Sequence, residues 1–384
     1  MRKLKQTILM EKDKKQFLFK HTFQGLGSLE AKVVLDNNTI ADVEFGGDCN
    51  LLVQPEPLLA RLRGVEFNRE SVERALLTVN PAAYISGLSR ERLLRLLFGR
   101  KPHQKKPDWL KIDLSSTKTS ASTSGIIHGA GLHTICQSGL CPNLAECWRN
   151  GTATLMIGGD ICTRKCRFCN TLSGRPKPLD ADEPRRIAQA VKDMGLRYAV
   201  ITSVDRDDLA DYGANHWRRT IEELRKMNPQ TVIEALIPDF QGRMELLDIV
   251  LQAKPDVVAH NMETVRRLTP SVRSVAQYDR SLSVLRHIAE KGFRCKTGFM
   301  VGLGETHEEV RELMADIRTT GCTMLTIGQY LQPTAHHLDV AEYVTPQQFA
   351  VYRQQAFDLG FTHVESGPLV RSSYHAERMA SRQG

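Results

Sequence analysis

Six of the nine cysteines in this 384-residue chain fall between Cys136 and Cys169, in two triplets fifteen residues apart. The second triplet, Cys162-Thr-Arg-Lys-Cys166-Arg-Phe-Cys169, spaces its thiols as C-x3-C-x2-C. Three thiolates hold three irons of a cubane 4Fe–4S cluster and leave the fourth iron open, ready to take the amino and carboxylate groups of a small molecule. Structural zinc is the alternative. It usually closes with four ligands, often on paired C-x2-C arms, and fits poorly at the head of the alternating strands and helices that follow. The first triplet, Cys136, Cys141 and Cys147, has the spacing C-x4-C-x5-C. Alone it suits either zinc or a second iron–sulfur site. Its nearness to the other triplet favours a second cluster facing the same cavity, with one iron still needing a ligand.

These thiols have to be positioned by the chain around them. From about Thr152 onward, apolar strand-like runs occur at Thr152–Gly158, Tyr198–Val204, Thr231–Ile237, Val257–Met262, Arg294–Val301 and Met324–Leu331. Amphipathic helices lie between them: Ile187, Ala190, Val191 and Met194 make one stripe, and Val310, Leu313, Met314 and Ile317 another. Thr306 with Glu309 forms a capping-box signature, and Thr345 precedes a proline at a first helical position. Six βα units in succession predict an α/β fold with a parallel sheet and right-handed crossovers, most simply a partial (β/α)6 barrel. In a barrel, chemistry sits at the C-terminal ends of the strands, and Cys162 follows the first of them.

A small α+β module precedes the barrel. Leu29, Ala31, Val33 and Leu35 alternate onto one face, Asn37-Asn38 suits a left-handed turn, and Ile40 to Phe45 runs back. Val72, Ala75, Leu76 and Val79 have helical spacing, and Ser89 is placed to cap a helix ending at Phe98. The domains expected are therefore 16–100, a linker at 101–124 rich in lysine, proline, serine and threonine, and 125–384.

Composition narrows the class. With 41% hydrophobic and 25% charged residues the chain can bury a core, and no apolar run is long enough for a membrane span. The net charge of +8 favours acidic partners, but basic residues are scattered and aromatics are 6%, so no nucleic-acid surface stands out. The basic N-terminus lacks the apolar core of a secretory signal, which predicts a cytoplasmic protein whose dense cysteines bind metal rather than pair as disulfides. Cys49, Cys295 and Cys322 are isolated near apolar runs and are expected to be small core residues. His336 and His337 read as loop residues, and Gly302-Leu-Gly304 as a close approach of the chain to a cofactor.

The C-x3-C-x2-C spacing with Phe168 before its last cysteine resembles the radical S-adenosylmethionine superfamily. The paired triplets resemble the lipoyl synthase family more specifically. So do Lys106-Pro-Asp-Trp-Leu-Lys111, Gly151-Thr-Ala-Thr154, Ile201-Thr-Ser-Val-Asp-Arg-Asp-Asp-Leu209, Gly302-Leu-Gly-Glu-Thr306, Gly328-Gln-Tyr-Leu-Gln-Pro333 and Arg371-Ser-Ser-Tyr-His-Ala376. This resemblance covers about residues 105 to 380. It implies that Cys162, Cys166 and Cys169 hold the cluster that binds S-adenosyl-L-methionine. It also implies that Cys136, Cys141 and Cys147, with Ser373 as an oxygen ligand, hold an auxiliary 4Fe–4S cluster. The implied reaction inserts two sulfur atoms, drawn from the auxiliary cluster, at carbons six and eight of a protein-bound octanoyl chain. Ser203, Asp205, Glu234, Asn261, Glu263 and Lys296, at strand ends, are the candidates for holding S-adenosyl-L-methionine or lining its cavity. The implied partners are octanoylated lipoyl carrier domains, as in 2-oxoacid dehydrogenase subunits and the glycine cleavage H protein, and a ferredoxin- or flavodoxin-type electron donor. Residues 16 to 98, notably Gly64-Val-Glu-Phe-Asn-Arg-Glu-Ser-Val-Glu-Arg-Ala75 and Ile85-Ser-Gly-Leu-Ser-Arg-Glu-Arg-Leu-Leu94, resemble the C-terminal accessory domain of lipoate–protein ligases. That implies recruitment of a carrier domain or of a separate ligase partner.

Overall fold

A computed structural model describes residues 7–11, 14–23, 25–99, 106–110, 118–149 and 154–373. The chain divides into two compact units, Met1–Lys105 and Lys106–Gly384.

In the first unit the alternation at residues 29 to 35 becomes the strand Gly27–Asp36, with Leu29, Ala31, Val33 and Leu35 all buried. Asn37 and Asn38 both take positive φ, 46° and 67°, the left-handed pair that a tight hairpin between twisted strands demands. The return strand is Thr39–Gly46. Two further antiparallel strands, Thr7–Glu11 and Lys14–Phe23, complete a four-stranded sheet in chain order. The buried face is covered by short helices that carry Leu58, Leu62, Val72, Leu93 and Leu97 into one core. The helix expected around Val72 to Val79 stops early. Arg69–Ala75 is α-helical, a single 3-10 turn follows at Leu76–Thr78, and Val79 is already extended. Ser89 caps Arg90–Phe98 as expected, its Oγ accepting from the Arg92 N–H at 3.2 Å.

The second unit holds the predicted strands in unbroken order. Thr154–Ile157, Tyr198–Ser203, Val232–Leu236, Val257–Ala259, Arg294–Val301 and Met324–Gln329 lie side by side, all parallel. A seventh parallel strand, His363–Gly367, extends one edge, and a two-residue antiparallel strand, His133–Thr134, closes the other. Part of the expected linker is structured, since Lys118–Gly129 is a helix whose Ile127 enters the barrel core. The serine-rich run hides this helix because its apolar residues, Ile126 and Ile127, come only at its end. Cys295 and Cys322 are buried core residues, and Cys49 is half-buried.

Gly302 is packed tightly, as its sequence context suggests, but against protein. A β-carbon there would meet the Gln329 amide nitrogen at 2.1 Å and the Glu342 carbonyl oxygen at 2.4 Å. Gln329 explains the crowding: its side-chain amide donates to the carbonyls of Val301, Tyr330 and Glu342 and accepts from the Val344 N–H. One buried side chain thereby fixes the root of the long loop after the Met324–Gln329 strand. Among the described residues no helix is long and apolar enough to cross a membrane.

The capping box is formed: Thr306 Oγ1 accepts from the Glu309 N–H, and the Glu309 carboxylate accepts from the Thr306 N–H. Thr306→Ala should lower the unfolding free energy of the barrel unit by about 1 kcal/mol, with Thr306→Ser restoring most of it, as read from denaturant midpoints.

Candidate metal centre

At the C-terminal ends of the parallel strands lies a cavity of about 550 Å³. Cys162, Cys166 and Cys169 line it, and so do Cys136, Cys141 and Ser373. Three remote stretches are joined there by side-chain amides and hydroxyls. The Asn170 amide donates to the Ser138 carbonyl at 2.8 Å, which ties the two cysteine loops together. The Asn143 amide donates to the Leu369 carbonyl at 2.6 Å, which ties the first loop to the C-terminal segment. The buried Thr154 hydroxyl donates to Ser373 Oγ at 2.7 Å. Cys147 stands apart: it lies on the helix Leu144–Arg149 and packs against the barrel core, and it is not among the cavity-lining residues. Tyr374 to Ala376, the rest of the C-terminal motif, lie outside the described residues.

The C-terminal segment reaches the cavity because Gly328 has no side chain. A β-carbon at Gly328 would sit 2.2 Å from the carbonyl oxygen of Val370, so the segment bearing Arg371 and Ser373 rests directly on the strand.

A buried guanidinium organises the second cysteine loop. Arg164, between Cys162 and Cys166, is bidentate on Asp207 at 2.7 and 2.9 Å, donates to Asp239 at 2.6 Å, and lies 3.3 Å from Asp205. Asp205 and Asp207 come from the loop after the Tyr198–Ser203 strand and Asp239 from the loop after Val232–Leu236. Backbone N–H groups of Arg164 and Asp205 approach Cys162 Sγ at 3.4 and 3.3 Å, and hydrogen bonds to sulfur are one lever on a cluster's potential. Burial pushes Asp205 up to about 6 against the pull of Arg164. Asp239 is held below the usual carboxylate range, because Arg164 outweighs its burial.

All five cavity thiols are free of disulfides and are pushed upward, first by burial in each case; Cys162, which also faces the Asp205 carboxylate, reaches about 12. The protein alone therefore disfavours thiolates here, and a metal centre supplies the positive charge that would hold them deprotonated. Among the described residues no three His, Cys, Asp or Glu side chains gather closely enough for a single ion, whose shell is only about 2.0–2.3 Å in radius for zinc. The wider grouping of free, buried or half-buried thiols around one cavity fits cubane clusters, with Ser373 as an oxygen donor beside Cys136 and Cys141.

The candidate cofactor residues divide. Ser203, Asp205, Asn261 and Glu263 line the cavity. Glu263 has φ of 66°, and burial pushes its carboxyl up. Ser203 Oγ accepts from the Trp217 indole N–H at 3.2 Å, which fixes its position. Glu234 and Lys296 do not line the cavity and are corrected to a structural role. The Lys296 ammonium donates to both Glu234 oxygens at 2.8 and 2.9 Å, and the Tyr198 hydroxyl donates to Glu234 at 2.6 Å, all within the sheet interior. Each neutralises the other, as buried charges must. Arg164, Thr154, Asn170 and Gly328 carry the geometry; Thr154 and Gly328 stand in motifs that carry the family resemblance, but no sequence signal gives the contacts of any of the four. Arg164 lies inside the cysteine motif, but nothing in its spacing announces the three carboxylates it meets.

Comparison with known proteins gives both units relatives. The model for the radical SAM superfamily matches residues 156–317, and that for the bacterial lipoate protein ligase C-terminus matches residues 14–97. A lipoyl synthase of Bacteroides thetaiotaomicron is 61% identical over 71% of this chain and 97% of its own length. One from Porphyromonas gingivalis is 61% identical over 72% of this chain and 98% of its own. Among solved structures, methylornithine synthase overlays with a TM-score of 0.43 at 13% identity, over 65% of this chain and 83% of its own.

Gly328→Ala should drive the Val370–Ser373 segment off its strand. If Ser373 is a ligand to a second cluster, as the family resemblance implies, bound iron after anaerobic reconstitution should fall from about eight per chain toward about four.

Proposed function

The chain belongs to the lipoyl synthase family, and from that premise we propose that it inserts two sulfur atoms, at carbons six and eight, into an octanoyl chain carried by a lipoyl-type protein domain. The observation that most supports this reading is a single cavity lined by all three cysteines of the second triplet, by Cys136 and Cys141 of the first, and by Ser373. In this reading Cys162, Cys166 and Cys169 hold the cluster that binds S-adenosyl-L-methionine, and Cys136, Cys141, Cys147 and Ser373 hold a second one. When bound, these groups supply reductive cleavage of the sulfonium, hydrogen removal from an unactivated carbon, and sulfide for the new carbon–sulfur bonds.

The chain's own residues prepare the space. Ser203, Asp205, Asn261 and Glu263 offer polar atoms from successive strand ends to the cofactor. Leu236, Ile237, Phe299 and Met300 line the same cavity and limit water around a reactive carbon. Thr154 holds the Ser373 oxygen in place by donating a hydrogen bond to it, a contact that stabilises the deprotonated form in which a serine ligates iron. A hard oxygen among thiolates is the weaker partner for iron, and a corner held that way opens more readily.

The first unit serves the same reaction by capture. Because 71% of this chain accounts for 97% of a related lipoyl synthase, the sulfur-inserting machinery of the family is complete without an N-terminal module. The module therefore adds binding of the carrier domain or of a ligase that acts on it. Carrier domains of 2-oxoacid dehydrogenases and of glycine cleavage, and a ferredoxin- or flavodoxin-type donor, are the partners this activity calls for.

Anaerobic incubation with reductant, S-adenosyl-L-methionine and an octanoylated carrier domain should give a mass gain of two sulfurs as the dithiol, and of two sulfurs less two hydrogens once the product is oxidised to the ring disulfide. Loaded protein that binds S-adenosyl-L-methionine yet gives no such gain would overturn the assignment. Ser373→Ala should keep cofactor binding and lose at least about tenfold in sulfur insertion, measured in a single turnover. Removing residues 1–100 should raise the apparent KM for the carrier domain while leaving kcat in place, and unchanged saturation behaviour would remove the recruitment role.

A further inference from the structure

The loop that follows the Met324–Gln329 strand crosses the radical-cluster loop and touches it twice. The His337 ring Nε2 lies 3.0 Å from the carbonyl oxygen of Cys169, and the Leu338 N–H reaches the Arg167 carbonyl at 3.4 Å. The loop is itself braced: Tyr330 donates its hydroxyl to the Leu338 carbonyl at 2.7 Å, and the Gln332 amide donates to the His337 carbonyl at 3.0 Å. Its root is held by the buried Gln329 amide.

The donors and acceptors around His337 assign its proton. A carbonyl oxygen accepts and cannot donate, so the hydrogen in the contact with Cys169 belongs to Nε2. In the uncharged ring Nδ1 then accepts, and Thr334 Oγ1 stands 2.9 Å from it. Thr334 Oγ1 also receives the His336 N–H at 3.3 Å, which leaves its own hydroxyl hydrogen free to point at Nδ1. Each proton in the chain from His336 through Thr334 and His337 to Cys169 has one place to go.

We propose that His337, with its ring oriented by Thr334, is a positioning residue for the iron–sulfur cluster of the Cys162–Cys169 loop, clamping the main chain of its last ligand. This rests on the assignment of that loop as the ligand set for the cluster that binds S-adenosyl-L-methionine. The clamp acts on the peptide that carries Cys169, so it sets where the thiol stands rather than supplying a ligand. Outer-shell hydrogen-bond partners of metal-ligating residues commonly change metal affinity by about 10- to 100-fold.

The test uses the reconstituted full-length holoenzyme and two readouts besides turnover: the electron paramagnetic resonance signal that changes when S-adenosyl-L-methionine is added to the reduced protein, and the rate at which a chelator strips iron. His337→Ala should weaken the cofactor-responsive signal and speed one phase of iron loss by about tenfold. His337→Gln, whose amide N–H can reach the same carbonyl, should restore both. Thr334→Val should give a partial defect in the native background and none in the His337→Gln background, since its effect runs through the imidazole. If His337→Ala leaves both readouts at wild-type values in a protein of unchanged circular dichroism and melting temperature, the clamp is wrong. A defect that His337→Gln does not relieve also overturns it, by reducing the histidine to packing. A wild-type signal that does not respond to S-adenosyl-L-methionine would instead overturn the assignment of the loop's cluster.

Discussion

The site depends on one buried cation. Arg164 sits between two cysteines and satisfies three carboxylates that enter from the ends of two neighbouring strands, with Arg280 adding a second contact to Asp239 at 3.3 Å. Breaking a buried ion pair from one side leaves an uncompensated charge in a poor solvent, which commonly costs about 3–5 kcal/mol. Here that energy is tied to geometry. Moving the cysteine loop away from the barrel mouth would withdraw Arg164 from Asp205, Asp207 and Asp239 at once, so the loop has a single low-energy seat. Compensation among the three is uneven. Asp239 receives two guanidinium groups and stays strongly acidic, whereas Asp205, with the longest of the Arg164 contacts, is pushed up to about 6 by its burial. The least satisfied carboxylate is the one 3.7 Å from Cys162 Sγ.

Backbone proximity supplies the second half of the construction. Cys136 and Ser373 are remote in sequence, yet Thr154 on the first barrel strand and Gly328 on the sixth bring their segments to one wall. A side chain at Gly328 would collide with main chain, which cannot swing aside as a rotamer can. The glycine thus permits a contact that no larger residue would allow. Asn143 and Asn170 then use amide groups, which donate and accept without net charge, to stitch loops where another ion would carry a desolvation cost.

Much of this was legible in the sequence, for identifiable reasons. A strand buried on both faces reads as a continuous apolar run, so the six barrel strands stood out, and cap chemistry fixed the starts of helices at Ser89, Thr306 and Thr345. Cysteine spacing is local, which made the two triplets visible. Features that depend on tertiary partners were not. Glu234 and Lys296 look like cavity groups because strand ends in a barrel so often are, but their mutual distance is set by the register of strands sixty residues apart. The helix Lys118–Gly129 is built of residues that ordinarily mark a linker, and its tertiary packing overrides that propensity. The edge strand His363–Gly367 carries half-buried residues and few apolar ones, so its periodicity is weak. His337 was placed correctly in a loop; what that loop rests on is a property of the fold.

The two units have separate cores, and the cavity is lined from Lys106 onward. This division suits the recruitment role proposed for the first unit, in which the benefit of the fusion would lie in encounter. A module that binds the carrier domain, or an enzyme delivering it, converts a bimolecular search into a local one whose effective concentration can reach the millimolar range. That gain would be largest for a substrate that is itself a tethered group on a folded domain, whose acyl chain has to enter the cavity while its carrier stays at the surface. Under that proposal the gain would fall on association rather than on the chemical step, in keeping with a barrel 61% identical to a lipoyl synthase matched over nearly its whole length.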